Sequence, residues 1–194
     1  MIMESFDFDK KDDKELIADY LNGQQEVLAY LINRHLKPVY RFVFGLVNNE
    51  MMAEDITQDI FVKVWKNLKK YNPKYTFKTW LFSIARNTSI DYLRKRKDIV
   101  FSEFDNMDGD NFLVDTLADD IHSIEEDLSK IQEISDLKEK LQNIPAIYRE
   151  VLILRYTNDL LFEEIADILR KPVETVKSQH RRGLLHLKRL YTRT

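Results

Sequence analysis

The sequence predicts an all-α protein built from two small helical domains. Two observations support this fold class: apolar residues recur at helical spacing in several long segments, and the 194 residues include only four Gly and four Pro. So few turn-forming residues disfavour an all-β fold, which needs many tight turns. A third observation, the distribution of charge, predicts where one domain ends and the next begins.

Charge divides the chain into three blocks. Residues 1–97 carry a net charge of +4, residues 98–136 carry −12 and residues 137–194 carry +5. A segment with so much like charge repels itself and stays extended rather than packed. We therefore predict helical domains at residues 12–97 and 137–194, joined by an acidic linker at residues 98–136.

The apolar period predicts four helices in the first domain. They are Glu15–Leu21, Gln25–Val47, Met52–Lys69 and Thr76–Arg96. Pro38 is expected to bend or divide the second of them, because proline lacks an N–H and crowds the preceding turn.

In the second domain the same period predicts helices at Leu137–Gln142, Ala146–Thr157, Leu161–Leu169 and Val173–Tyr191. The last two are separated by only Arg170, Lys171 and Pro172. This is the layout of a helix-turn-helix, whose second helix enters the major groove of DNA. The shared core of the pair is expected to contain Ile165, Leu169, Val173 and Val176.

One face of the last helix carries side chains suited to reading bases. Thr175, Ser178, Gln179 and Arg182 are spaced to share that face, and arginine pairs with guanine as glutamine does with adenine. Four basic residues flank them and could neutralise phosphates: Lys177, Arg181, Lys188 and Arg189. The alternative is an ordinary helical hairpin with a solvated basic face, but the short turn upstream favours DNA binding.

Two further segments carry patterned polar residues. In FKTWLFSIARNTSIDYLRKRK (77–97), an apolar and aromatic stripe lies opposite Lys78, Arg86, Asn87, Ile90, Arg94, Lys95 and Lys97. Aromatic rings beside cations suit single-stranded DNA, although aromatics at helical spacing are also typical of a core. In AEDITQDIFVKVW (53–65), Asp55, Gln58 and Asp59 share one face and Phe61, Val64 and Trp65 the other. Taken alone, that acidic face indicates only contact with solvent.

Signals for enzymatic chemistry are missing from the sequence. There is no cysteine, no Gly-rich phosphate loop, no His-Glu-x-x-His and no nucleophile elbow, and the four histidines form no cluster. We predict that the protein is not an enzyme and needs no cofactor or metal.

The acidic N-terminus is unlike a signal peptide, and no apolar run approaches the roughly 18 residues of a membrane span. A cytoplasmic protein without membrane insertion is expected.

Together, these segments in this order resemble the extracytoplasmic-function (ECF) subgroup of sigma-70 family factors. The resemblance rests on AEDITQDIFVKVW, FKTWLFSIARNTSIDYLRKRK, the acidic gap, IPAIYREVLILRY and EEIADILRKPVETVKSQHRRG. Members of this family are the dissociable promoter-recognition subunits of bacterial RNA polymerase. The resemblance implies an alternative-type sigma factor that directs promoter recognition and melting in transcription initiation.

The resemblance also implies roles for matching residues. Asp55, Gln58 and Asp59 would bind core RNA polymerase at its β′ clamp helices. Contacts to the −10 element are implied for Lys74, Tyr75, Thr76, Phe77, Arg86, Asn87, Arg94 and Lys95. Contacts to the −35 element are implied for Thr175, Lys177, Ser178, Gln179, Arg181 and Arg182, while another surface of the second domain would bind the β flap.

The partners implied are therefore core RNA polymerase and promoter DNA, with an anti-sigma factor left open as a third. The competing hypothesis is a stand-alone helix-turn-helix transcription regulator. Such regulators usually dimerise on a palindrome and carry a sensor domain, for which the first domain has no signature.

Overall fold

The computed structural model describes residues 8–96 and 141–192, and within these ranges the chain is helical with no strand. The helices are Asp13–Leu21 (α1), Val27–Val47 (α2), Glu50–Asn67 (α3), Phe77–Arg96 (α4), Ala146–Leu152 (α5), Phe162–Leu169 (α6) and Val173–Thr192 (α7). The all-α prediction is confirmed. The predicted linker at residues 98–136 lies outside the described residues, as does most of the predicted helix Leu137–Gln142.

Side-chain caps set the starts of α1 and α3. Asp12 and Glu15 form a reciprocal capping box at α1, with the Glu15 N–H donating to Asp12 Oδ1 (2.8 Å). Asn49 caps α3 by accepting the Met52 N–H at 2.9 Å, so the helix begins at Glu50 rather than at the predicted Met52. Local hydrogen bonding, rather than the apolar period, therefore decides where these helices begin.

Pro38 does not divide α2, so that part of the sequence prediction is wrong. The helix runs without interruption from Val27 to Val47 around the proline. Val39 and Phe42, which follow the proline, are completely buried. Burial of this apolar face offsets the hydrogen bond that proline removes from the helix interior.

The C-terminal unit contains the predicted helix-turn-helix. Ile165, Leu169 and Val176 are buried between α6 and α7, as expected for the shared core. Arg170 ends α6 in the left-handed conformation (φ 55°), the position that glycine usually takes. The predicted helix Ala146–Thr157 is α-helical only to Leu152 and continues as a π turn over Ile153–Thr157.

The two units pack on each other along α4, which is buried on two sides. One side faces α2 and α3, where Phe82 meets Phe42 edge to face at 5.4 Å. On another side, Ile90 is buried in a cluster with Ile144 and Ile147 of the C-terminal unit. Ile90 was predicted to lie on the outward face of its helix. That prediction is wrong because the C-terminal unit covers this side of α4.

A polar cluster ties α1 to α2 beneath the start of α4. Asp13 accepts hydrogen bonds from Arg34 Nη1 (2.9 Å) and from His35 Nε2 (2.8 Å). Burial alone would raise the pKa of Asp13, but the bonds to His35 and Arg34 outweigh it and hold the pKa below the ordinary value of 3.8. His35 is itself buried and meets the ring of Phe77 edge on at 5.3 Å.

We expect Asp13→Asn to lower the free energy of unfolding at pH 7 by about 1–3 kcal/mol, because it weakens two charge-assisted bonds. A carboxyl whose pKa is depressed in the folded state stabilises above its unfolded pKa and loses that effect as pH falls through the folded value. The difference between the two proteins should therefore shrink below pH 3.8. Urea denaturation of both proteins, at pH 7 and at a pH below 3.8, measures the difference in the free energy of unfolding. A constant difference down to low pH would contradict this role for Asp13.

Candidate polymerase and promoter surfaces

The outward face of α3 combines acidic and apolar side chains. Asp55, Gln58 and Asp59 are all exposed, as predicted, while Ile56 and Ile60 point into the core. Residues spaced three and four apart lie on one helix face. The exposed face therefore also includes three large apolar residues, Met51 (75 % exposed), Val62 (45 %) and Trp65 (53 %).

The position of Trp65 differs from the prediction, which placed this residue on the buried face of α3 with Phe61 and Val64. Phe61 and Val64 are indeed buried, but the Trp65 indole lies outside and donates to Tyr20 Oη at 3.1 Å. Met51 and Val62 were missed as well. Their signal in the sequence was an apolar residue falling among the exposed polar positions of the helix.

The loop between α3 and α4 is held by its own polar groups. Tyr71 Oη donates to the carbonyl oxygen of Tyr75 (2.6 Å), and the Lys74 N–H donates to Asn72 Oδ1 (3.0 Å). Burial, followed by the negative charges of Asp13 and Asp12, raises the pKa of Tyr71 and keeps the phenol protonated as the donor. The Tyr75 ring is left 41 % exposed.

The four loop residues predicted to bind the −10 element do not share one environment, because three are exposed and one is buried. Lys74, Tyr75 and Thr76 are exposed, but Phe77 is only 3 % exposed and packs against Tyr71 and Trp80. Phe77 thus offers no ring face to a base and supports the loop from inside. This burial was the alternative that its helical spacing had left open.

A groove of about 340 Å³ lies between α3 and α4. Asn87 lines it, and the sequence did not predict DNA contacts for the other lining residues. They are two cations, an amide, an aromatic ring, two smaller side chains and one acid: Lys63, Lys70, Asn67, Trp80, Ile84, Thr88 and Asp91. Lys63 is oriented by its bond to Thr88 Oγ1 (3.0 Å). Arg94 and Lys95 are exposed further along α4. Cations beside an exposed aromatic loop suit a single nucleic-acid strand.

Arg86, also predicted to contact the −10 element, is engaged elsewhere. Its Nε donates to Glu150 Oε2 (3.0 Å) and its Nη2 to Glu150 Oε1 (3.3 Å), and Glu150 of α5 is completely buried. Thr76 Oγ1 and Thr79 Oγ1 similarly lie 3.0 and 3.1 Å from Glu164 Oε1 of α6. Two acids of the C-terminal unit therefore contact α4 directly.

On α7 the predicted base-reading residues divide into two groups. Thr175, Ser178 and Arg182 are partly exposed, whereas Gln179 is only 5 % exposed. Gln179 lies four residues before Gly183, on the border of the buried face, and its Oε1 has no hydrogen-bond partner. Here Gln179 does not present its amide to solvent, which corrects the expectation that all four share an open face.

The predicted phosphate contacts on α7 are cationic and close to the surface. Lys177 is exposed, and its bond to Glu174 (2.8 Å), with the charge of that carboxylate, raises its pKa and keeps it protonated. Arg181 and Arg182 are half-buried, and Arg181 Nε and Nη2 and Arg182 Nε are buried with no hydrogen-bond partner. Of Lys177 and Arg181, Lys177 is therefore the one whose side chain is exposed.

Over the described residues no helix is long and apolar enough to cross a membrane. The same parts of the chain contain no group of three His, Asp or Glu side chains arranged to hold a metal ion.

Comparison with known proteins identifies both units. The family profile of sigma-70 region 2 matches residues 31–99, and that of sigma-70 region 4 matches residues 134–187. The chain is similar to the ECF RNA polymerase sigma factor SigW of Bacillus subtilis, with 31 % identity over 88 % of this chain and 91 % of SigW. It is also similar to the sigma factor SigV of the same organism, with 32 % identity over 81 % of this chain and 87 % of SigV.

Solved structures share the fold at lower identity. The structure of CnrH in complex with the cytosolic domain of CnrY covers 93 % of this chain and 97 % of its own, with a TM-score of 0.65 and 22 % identity. The sigma factor RpoE in complex with the anti-sigma factor NepR from Bartonella quintana covers 83 % of this chain and 94 % of its own. Its TM-score is 0.61, also at 22 % identity.

The profiles and the relatives define a two-domain promoter-recognition subunit of the sigma-70 class. The chain belongs to the ECF sigma factors of that family. It is an alternative sigma factor, which associates with core RNA polymerase and directs transcription initiation at promoter DNA. The alternative of a stand-alone helix-turn-helix regulator is not favoured.

Proposed function

We propose that the outward face of α3 is the surface that binds core RNA polymerase at its β′ clamp helices. The observation that carries this proposal is that one exposed face combines polar and large apolar side chains. The polar residues are Asp55, Gln58 and Asp59, and the apolar residues are Met51, Val62 and Trp65. Large apolar side chains exposed among acids are typical of a surface covered by a partner. The acids would provide charge complementarity and the apolar residues the buried centre of the interface.

For promoter opening, we propose that the α3–α4 loop and the adjacent groove hold one strand of the −10 element. Tyr75 offers an exposed ring for stacking, and Asn87 can form hydrogen bonds with an extruded base. Lys63 and Lys70 extend the predicted set with two cations along the same groove. Stacking and phosphate contacts together would offset the cost of unpairing the bases.

For the −35 element, we propose that α7 lies in the major groove with Arg182 at base edges and Lys177 at the backbone. Removing a bidentate arginine should cost about 1–3 kcal/mol and relax preference at a single base position. Gln179 would contribute only if its amide turned outward on binding.

We expect Arg182→Ala to reduce discrimination among −35 sequences and Lys177→Ala to weaken binding to all of them about equally. The Lys177 variant should also reduce the slope of the logarithm of the binding constant against the logarithm of salt concentration, by about the amount that one phosphate contact contributes. Binding of holoenzyme to a set of −35 variants at several salt concentrations measures both effects. If both variants produced the same uniform loss, the proposed orientation of α7 would be wrong.

Beyond these surfaces, we propose that the protein acts in the cytoplasm, where bacterial polymerase works, and without catalytic activity of its own. A further surface of the C-terminal unit would contact the β flap, as the family resemblance implies. An anti-sigma factor is a further proposed partner, because the RpoE neighbour was solved with one.

Affinity purification of the tagged chain tests the partners directly: core polymerase subunits should co-purify. Recovery of a DNA-binding homodimer without polymerase would favour the stand-alone regulator instead.

A further inference from the structure

A second cleft, of about 570 Å³, lies between α4 and the turn that joins α6 to α7. This volume falls in the range of about 300–1,000 Å³ that is typical of small-molecule sites. Tyr75, just before α4, and Trp80 on α4 provide aromatic rings, while Arg170 and Lys171 of the turn provide cations. The cleft is distinct from the groove between α3 and α4, with which it shares one lining residue, Trp80.

Arg170 has a backbone conformation that residues with a side chain seldom adopt. It ends α6 with a φ of 55°, at a position where glycine is the usual residue because a Cβ is disfavoured there. Its side chain is exposed and has no ion-pair partner within residues 8–96 and 141–192. A charged side chain that is kept at a strained position without a protein partner favours a role in binding.

The chemistry of the cleft matches the separate parts of a nucleotide. Aromatic rings stack on bases, and an arginine beside a lysine binds phosphates, the guanidinium at two points. Asp167 of α6 also lines the cleft, and its carboxylate can accept hydrogen bonds from ribose hydroxyls or from a base amino group. A ligand that is only anionic would leave the rings unused and would be repelled by Asp167.

We propose that this cleft binds a free nucleotide with two or more phosphates. The base lies against the two rings beside α4, the phosphates meet the two cations of the turn, and the ribose donates to Asp167. Such a ligand contacts both units at once, so its binding stabilises the packing of α6 and α7 on α4 by mass action. This site is additional to the polymerase and promoter surfaces and does not depend on them.

Two variants each remove one proposed contact and leave the backbone in place. Arg170→Gly removes the guanidinium and puts glycine in the conformation that it readily adopts. Tyr75→Ala removes a ring, while the Tyr71 hydroxyl still bonds to the backbone carbonyl of residue 75. The matched controls are Arg41→Ala and Tyr30→Ala, which remove the same groups from exposed positions on α2.

Isothermal titration calorimetry of the free proteins with ATP measures these contacts. We expect Arg170→Gly to weaken ATP binding about tenfold or more and Tyr75→Ala about fivefold or more, while both controls bind like the unsubstituted protein. Adenosine and inorganic tripolyphosphate each provide only part of the contacts and should both bind more weakly than ATP. Absence of ATP binding at millimolar concentration, equal affinity of Arg170→Gly and Arg41→Ala, or tripolyphosphate binding as tightly as ATP would overturn the proposal.

Photocross-linking with an azido analogue of ATP then locates the base on the protein. Mass spectrometry should find the label on Tyr75 or in the turn between α6 and α7, and an excess of ATP should remove it. Label on Asn87 or on α3 would place the nucleotide in the other groove and contradict the proposed site. Both experiments use the protein without polymerase or promoter, so their failure would leave the proposed function standing.

Discussion

Replacing Asp55 and Asp59 together by lysine is expected to abolish binding to core RNA polymerase. Both side chains are exposed on the face of α3 proposed to meet the polymerase. Reversing two charges there places like charges in contact, which costs several kcal/mol, or at least about a hundredfold in affinity. Stability should change by less than about 0.5 kcal/mol, because neither side chain is buried.

The control for this variant carries the same change in net charge at other sites. Glu26→Lys with Glu163→Lys alters two exposed acids, one just before α2 and one on α6, and should leave polymerase binding unchanged. Fluorescence titration of labelled core enzyme measures the affinity of each protein. If the α3 variant bound as well as the control, the polymerase surface would have to lie elsewhere on the molecule.

Loss of Tyr75 and Asn87 is expected to reduce the rate of promoter opening by about tenfold or more. In Tyr75→Ala with Asn87→Ala, a stacking ring and a groove amide are removed, and one stacking contact is worth about 1–3 kcal/mol. The loop itself should persist, because the Tyr71 hydroxyl bonds to the backbone carbonyl of residue 75, not to the ring. Polymerase binding should be unaffected.

A template already mismatched across the −10 element separates melting from binding. The unpairing cost is absent on such a template, so much of the defect should disappear. Permanganate footprinting on matched and mismatched templates follows the open bases directly. Tyr30→Ala with Asn33→Ala removes the same residue types from an exposed part of α2 and is the control. An equal defect on both templates would show that these residues do not act in melting.

The sequence could predict most helices of this protein because their apolar residues recur at helical spacing. The period of α3 correctly separated Asp55 and Asp59 from Ile56 and Ile60. It failed for Trp65, whose size and apolar character suggested burial although the indole lies at the surface. A single-sequence pattern registers which side is apolar, but not which apolar residues remain outside for a partner.

The contact between the units could not be predicted for a related reason. An amphipathic pattern describes a helix with one buried side, whereas α4 is covered by α2 and α3 on one side and by α5 and α6 on another. Arg86 and Ile90 therefore looked like surface residues. The residues of α4 alone could not predict the ion pair of Arg86 with Glu150, because the two residues are 64 positions apart in the sequence.

The most direct test of the central assignment is transcription with purified components. Core RNA polymerase mixed with this chain should initiate on genomic DNA fragments at discrete start sites, and those sites should share two short elements at fixed spacing upstream. Sequencing the 5′ ends of the transcripts, with and without the chain, measures this. Start sites that do not depend on the chain, together with specific binding of the chain alone to a palindrome, would contradict its assignment as a sigma factor.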